Sequence, residues 1–200
     1  DPNKIIVATD HEKIYNFCLQ NNIQVLMTSE SCLTGTDRIC EVVNKFPADV
    51  YINVQGDEPV LNPKDLKKVI RFVKKDPGKI YNGYAEIKDE KKFYSPNIPK
   101  VIFHPKTKLL MYISRAAIPS DKSFDFIKAW KQVCIYAYPK NALIAFSSNK
   151  KSLLEDIEDI EVLRFLELGY EVNMISLSGN GIAVDVPEDI KKVEAYLDEN

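Results

Sequence analysis

Three times in its first third, this chain runs from a short apolar stretch into a polar cluster and then into a segment of helical period, and that alternation constrains its fold more than any other feature. Residues 4–9 read as a buried strand, after which Asp10 is placed to cap a helix carrying Ile14, Phe17 and Cys18 at helical spacing. Residues 24–27 form a second short apolar run, followed by Thr34-Gly35-Thr36-Asp37-Arg38 and a helix with Ile39, Val42 and Val43 on one face. Residues 50–55 read as a third strand ending at Gly56-Asp57-Glu58-Pro59; Asn62 as cap and Pro63 at the first helical position then open another helix. Strands alternating with helices imply an α/β fold with a largely parallel sheet covered by helices on both faces.

Beyond Pro77-Gly78 the pattern becomes mixed, with strands expected at residues 81–87, 100–104, 109–114 and 133–138 and no regular helices between them. Ser152 with Glu155 makes a capping-box pattern that opens one helix, with Leu154, Ile157, Leu163 and Leu166 inward and Gly169 closing it. Strands at 171–176 and 181–185 follow, then a terminal helix from Pro187 with Ile190, Val193 and Leu197 on one face. At 200 residues the chain is expected to be one domain, spanning 1–200. Its 27 basic and 29 acidic residues form no long block of either sign, which argues against a nucleic-acid partner. No apolar run approaches the roughly 18 residues needed to span a bilayer, and the first residues lack the pattern of a secretory signal, so a cytoplasmic protein without a membrane partner is expected. The four cysteines form no Cys-x-x-Cys pair and do not cluster with His11 or His104, so neither structural zinc nor disulfides are expected.

In open α/β sheets ligands bind at the carboxyl ends of strands. Two such ends deliver carboxylates: Gln55-Gly56-Asp57-Glu58-Pro59, and Asp185 after an apolar run and before Val186-Pro187-Glu188-Asp189. Two convergent carboxylates suit a magnesium-nucleotide site, because magnesium takes hard oxygen ligands shared with phosphates and water. The same spacing also fits aspartates that merely cap turns or helices. Thr34-Gly35 at a helix start offers hydroxyls and exposed N–H groups to an anion or a polar ligand edge. Arg115, at the end of an apolar run, offers a fork of donors suited to a carboxylate, or to an ordinary surface ion pair. Tyr136 and Tyr138 alternate with apolar neighbours, and core packing is the better reading of tyrosines so placed.

Several segments, taken in order, carry a resemblance: Ile6-Val7-Ala8-Thr9-Asp10, Gly35-Thr36-Asp37-Arg38, Asn53-Val54-Gln55-Gly56-Asp57-Glu58-Pro59, Pro96-Asn97, Ser114-Arg115, Ile135-Tyr136-Ala137-Tyr138, and Asp185 with Pro187-Glu188-Asp189. Nearly end to end, the chain resembles the 3-deoxy-D-manno-octulosonate cytidylyltransferases, also called CMP-Kdo synthetases. The resemblance implies a Rossmann-like, mostly parallel sheet of the nucleotide-diphospho-sugar transferase type, with a smaller mixed extension used for dimerisation. It implies a homodimeric enzyme that uses Mg2+ to join CMP from CTP to an acidic octulosonate for lipopolysaccharide assembly. By the same resemblance, Asp57 and Asp185 are catalytic metal ligands, and Thr34, Gly35 and Arg38 belong to the nucleotide pocket. Gln55, Arg115, Tyr136 and Glu161 then face the sugar.

Two positions depart from the family pattern on the sugar side: Gln132 stands where a histidine is usual, and Val162 where a glutamine is usual. Both point to a modified acceptor, such as an amino-substituted octulosonate. Family members also begin with a strand, an Arg-containing loop and a Gly-Lys-Pro-type turn that hold the CTP phosphates. No counterpart precedes Asp1 in this sequence, and the expectation is an N-terminally incomplete enzyme that is inactive as it stands. Rival readings are transfer to another acidic sugar, such as a nonulosonate, and a non-catalytic module that binds sugar nucleotides. A dinucleotide oxidoreductase would want Gly-x-Gly-x-x-Gly after a strand, which the sequence lacks.

Overall fold

The fold is organised on one long strand, β7 (Ala129–Pro139), in a computed structural model that describes residues 2–184 and 186–199. Along one edge β7 pairs antiparallel with β4 (Ile80–Ile87), from Tyr81 opposite Ala137 to Ile87 opposite Ala129. Its other edge is shared: β3 (Val50–Val54) lies antiparallel along the C-terminal half, and β5 (Lys100–Phe103) touches the N-terminal half at Lys131. β8 (Val172–Ser176) extends the sheet parallel to β4, and β6 (Leu110–Ser114) pairs antiparallel with β5. The parallel pair β1 (Val7–Thr9) and β2 (Val25–Met27) forms a separate small sheet among the described residues. The α/β class is as expected, but the antiparallel β7 at the centre makes the sheet mixed.

β7 shows no polar-apolar alternation because both of its faces are covered. Val133, Ile135 and Ala137 point into a cluster with Val69 of α3 (Pro63–Lys75), Tyr81 and Ile175. Tyr136 and Tyr138 point the other way, toward Phe146 of α5 (Lys140–Ser147) and Phe165 of α7 (Val162–Glu167). The β5–β6 hairpin starts beside β7 and lies across this second face: Phe103 contacts the rings of Tyr84 and Trp130, and Met174 N donates to Lys108 O (2.8 Å) at the far side.

Helix starts follow the chemistry read from the sequence, with informative exceptions. Asn62 accepts from Lys64 N and Pro63 opens α3; Thr34 caps α2 (Gly35–Lys45); Pro187 opens α8 (Pro187–Asp198). α1 (Glu12–Gln20) is capped by His11, whose Nδ1 accepts from Lys13 N, and not by Asp10, whose carboxylate is drawn to Arg38. Ile14 and Phe17 stay exposed, and only Cys18 of that helix is buried. On α8, Val193 is buried while Ile190 and Leu197 are exposed.

The helix expected after Ser152 is two helices, α6 (Leu153–Glu158) and α7, because Asp159 adopts a left-handed conformation (φ 52°) and ends α6. Ile157, on the far side of α6, is 70% exposed as a result. Residues 181–184 join no ladder, although a strand was expected there. Two further helices, α4 (Glu90–Tyr94) and α5, lie where the sequence reading placed none. No helix among the described residues is long and apolar enough to cross a membrane.

Candidate active site at the carboxyl end of the third strand

After Val54 the chain turns tightly, with Glu58 N donating to Gln55 O (3.3 Å), and this turn leaves Asp57 exposed at the strand end. The segment leading to residue 184 comes to the same place. Val184 N donates to Asp57 O (2.8 Å), and Gly181 brings the backbone so close to the Glu58 side chain that a Cβ there would stand 2.5 Å from Glu58 Oε2 and displace that carboxylate. The segment is anchored upstream by the buried carboxylate of Asp65, which accepts from Ser178 N through both oxygens (3.1 and 3.0 Å) and from the Ser178 hydroxyl. Asp185, the second expected carboxylate, lies outside the described residues. Among the described residues, no three His, Cys, Asp or Glu side chains converge as a metal cluster. Asp57 nevertheless offers an exposed hard-oxygen donor beside the backbone that leads to Asp185, a donor chemistry that fits magnesium.

A second polar group forms beneath the start of α2. Glu161, at the α6–α7 break, is 8% exposed and its Oε2 accepts from Thr36 N (2.9 Å). Burial pushes its carboxyl above the ordinary value near 4.5, with the Thr36 N–H opposing that shift. A Cβ on Gly35 would stand 3.7 Å from Asn53 Nδ2, 3.7 Å from Gln55 Nε2 and 3.9 Å from Glu161 Oε2, so Gly35, Gln55 and Glu161 do come together. Thr34 Oγ1 accepts from Asp37 N (3.2 Å) and donates to Asp37 Oδ2 (2.8 Å). The first helical N–H groups expected to receive an anion are thus partly occupied by the protein itself.

Glu161 is held in place because α7 is firmly packed. Val162, Leu163 and Phe165 are fully buried, and each large apolar side chain so buried contributes roughly 1.5–3 kcal/mol. Arg164 adds a polar tether: it donates to both oxygens of buried Glu155 (2.6 Å each), lies 3.4 Å from Asp37 Oδ1, and covers the Phe146 ring at 3.6 Å. α7 is therefore linked to the N-terminal turn of α2 through Asp37, and Thr36 Oγ1 meets the Tyr138 hydroxyl at 3.1 Å.

Other expected site residues are engaged elsewhere. Arg38 donates to Asp10 (2.7 Å) and Thr28, clamping α2 to the ends of β1 and β2. Arg115 gives its Nε to Glu158 O (2.7 Å), Nη1 to Pro96 O (3.0 Å) and Nη2 to Asp159 O (2.9 Å), so its fork grips three backbone carbonyls. Tyr136 is 2% exposed and stacks on Tyr138 at 5.7 Å, which is core packing. Gln132 donates to Asn82 Oδ1 (3.0 Å), and Asn82 in turn donates to Val133 O and Ile135 O at the β4–β7 bulge. Val162 is fully buried.

Sequence reasoning missed Asn53 and the role of Glu155 with Arg164. Asn53 reads as a strand residue within a resemblance segment but with no role of its own, and Glu155 as a cap alone. Two surface depressions, of about 550 and 440 Å3, border α3 and are lined by none of these residues. Three thiols are unsuited to nucleophilic work. Burial pushes Cys40 and Cys134 up to about 12, and burial with a hydrogen bond to Glu41 takes Cys32 to about 11.

The cytidylyltransferase family matches residues 2–175. A 3-deoxy-manno-octulosonate cytidylyltransferase of Protochlamydia amoebophila is 36% identical over 201 residues, covering 96% of this chain and 77% of the relative. An 8-amino-3,8-dideoxy-manno-octulosonate cytidylyltransferase of Shewanella halifaxensis is 34% identical over 198 residues, with 96% and 80% covered. The solved structure of a CMP:2-keto-3-deoxy-manno-octonic acid synthetase complexed with CTP superposes with a TM-score of 0.88 at 29% identity, covering 97% of this chain and 80% of that one. HddC from Yersinia pseudotuberculosis, at 15% identity and a TM-score of 0.67, shares the fold.

Proposed function

This chain belongs to the 3-deoxy-manno-octulosonate cytidylyltransferase family, and from that premise we propose that it activates an acidic octulosonate with CTP, giving the CMP-sugar and pyrophosphate. The observation that carries the reading is the meeting of Asp57, at the end of β3, with the segment that runs to residue 184. The anomeric hydroxyl of the sugar attacks the α-phosphorus of CTP; the new O–P bond forms as the bond to the pyrophosphate oxygen breaks, and the hydroxyl proton leaves to solvent. Asp57 and Asp185 would hold Mg2+, which when bound supplies positive charge to the phosphate oxygens and lowers the proton affinity of the attacking hydroxyl. Thr34 and Gly35 border the nucleotide, while Gln55 and Glu161 orient the sugar. The chemistry needs no covalent protein intermediate, in keeping with the raised thiols.

Arg38 and Arg115 serve this reading as clamps that shape the site, given the partners they already hold. Gln132 acts on the sugar side through Asn82, and Tyr136 as the wall behind it. The acceptor is either the 3-deoxy sugar or its 8-amino counterpart, since relatives bearing both names align over nearly the whole chain. The protein works in the cytoplasm as a homodimer, an assembly that would cover exposed apolar side chains such as Met111, Phe124 and Ile127 (60, 74 and 73%).

Pyrophosphate release from CTP and magnesium, measured on the full-length protein with each of the two sugars, tests the proposal. Release is expected with one acceptor preferred, and Asp57→Ala should reduce it by at least about a hundredfold. No release with either sugar would overturn the function; undiminished release from Asp57→Ala would overturn the role of that carboxylate.

A further inference from the structure

Two buried side-chain atoms among the described residues have no hydrogen-bond partner: Asn53 Nδ2 and Glu161 Oε1. Buried polar groups are almost always paired, and an unpaired one is costly unless a ligand completes it. These two atoms belong to side chains that border the same spot, since Asn53 Nδ2 and Glu161 Oε2 both lie within 4 Å of where a Cβ on Gly35 would stand. The glycine keeps that space free of a side chain.

Both side chains are held by their surroundings. Asn53 sits opposite Tyr136 in the β3–β7 ladder, and Tyr136 sits opposite Asn82 in the β7–β4 ladder, so the three project from one face of the sheet. Asn82 is engaged with Gln132 and two β7 carbonyls, whereas the amide nitrogen of Asn53 is left over. Glu161 commits Oε2 to Thr36 N and keeps Oε1 in reserve.

The chemistry of the pair selects its ligand group. A ligand carboxylate or phosphate would accept from Asn53 but would meet repulsion from an ionised Glu161. An apolar group would leave both atoms unpaired. A hydroxyl satisfies both, because it has two acceptor lone pairs and one donor hydrogen. It accepts from Asn53 and, at Oε1, gives its hydrogen to a carboxylate or accepts from a carboxyl. We infer that Asn53 is a specificity-determining residue which, with Glu161, receives one hydroxyl of the acceptor sugar. The inference rests on the function proposed above and adds to it a residue with a stated role. Asn53 touches no reacting atom, so it acts on sugar affinity and leaves the chemical step alone.

Three variants test this in the full-length protein. Asn53→Ala should raise KM for the octulosonate about tenfold, with KM for CTP and the thermal midpoint nearly unchanged. Asn53→Asp should weaken sugar binding by at least as much, because it sets a second carboxylate beside Glu161. Adding Glu161→Gln to Asn53→Asp exchanges the donor for the acceptor: the Gln carbonyl keeps the Thr36 N–H and its NH2 group faces the hydroxyl, so sugar affinity should return to within about threefold of wild type. An unchanged sugar KM in Asn53→Ala, an equal rise in the CTP KM, or a double variant no better than Asn53→Asp would overturn the inference. Titration of the sugar into wild type and Asn53→Ala reads the same question without turnover. Equal Kd values there would overturn the role of Asn53, while an inactive wild type that still binds the sugar would overturn only the proposed reaction.

Discussion

Glu161 holds its proton further up the pH scale than a free glutamate does, because the folded chain buries it. A carboxyl whose folded value is raised lends stability that is complete below the ordinary value near 4.5 and is lost as pH rises through the higher folded value. Glu161→Gln cannot ionise, so it should gain stability relative to wild type as pH climbs from about 4.5 toward neutrality. Denaturant unfolding at a series of pH values measures this; parallel curves for the two proteins would contradict it. Side chains of this kind were only partly legible beforehand. The resemblance gave Glu161 a role but left Asn53, the first residue of one of its segments, without one, because the importance of Asn53 lies in an unpaired atom that only packing reveals. Arg38 and Arg115 show the converse. A guanidinium in a sequence says that donors are present and says nothing of whether a ligand or a backbone carbonyl will take them.

The break between α6 and α7 and the tether beside it carry the site's alignment. Arg164 and Glu155 are both nearly inaccessible, so removing one leaves the other as a buried uncompensated charge. Arg164→Ala should therefore cost about 3–5 kcal/mol in unfolding free energy, against about 1 kcal/mol for Thr34→Ala, which removes only a helix cap. Urea denaturation of the two variants checks the contrast, and equal losses would refute it. Local signals for helix starts were readable at Asn62, Pro63 and Ser152 because capping is decided within four residues. The left-handed turn at Asp159 was not, since the periodic apolar pattern runs straight through it. The turn is instead gripped by Arg115, forty-odd positions away in sequence, through the carbonyls of Glu158 and Asp159.

The α/β class was legible from the first third of the chain, whereas the central antiparallel strand was not. Its both-sides-buried sequence does not disclose direction, which is set by pairing to β3, β4 and β5 at long separation. Met111, Phe124 and Ile127 are exposed, and the proposed homodimer would cover apolar side chains of this kind. Sedimentation of the full-length protein should give a dimer, and Phe124→Glu should shift it toward monomer; a wild-type monomer at micromolar concentration would exclude that arrangement. The strand at the centre also sets a clock. β3 leaves the ribosome about 80 residues ahead of the β7 segment it pairs with, and at roughly 5–20 residues per second its free edge waits several seconds for a partner. During that interval the Val50–Val54 backbone is open to pairing with another nascent chain, so the speed of translation bears directly on how much of this protein reaches its native sheet.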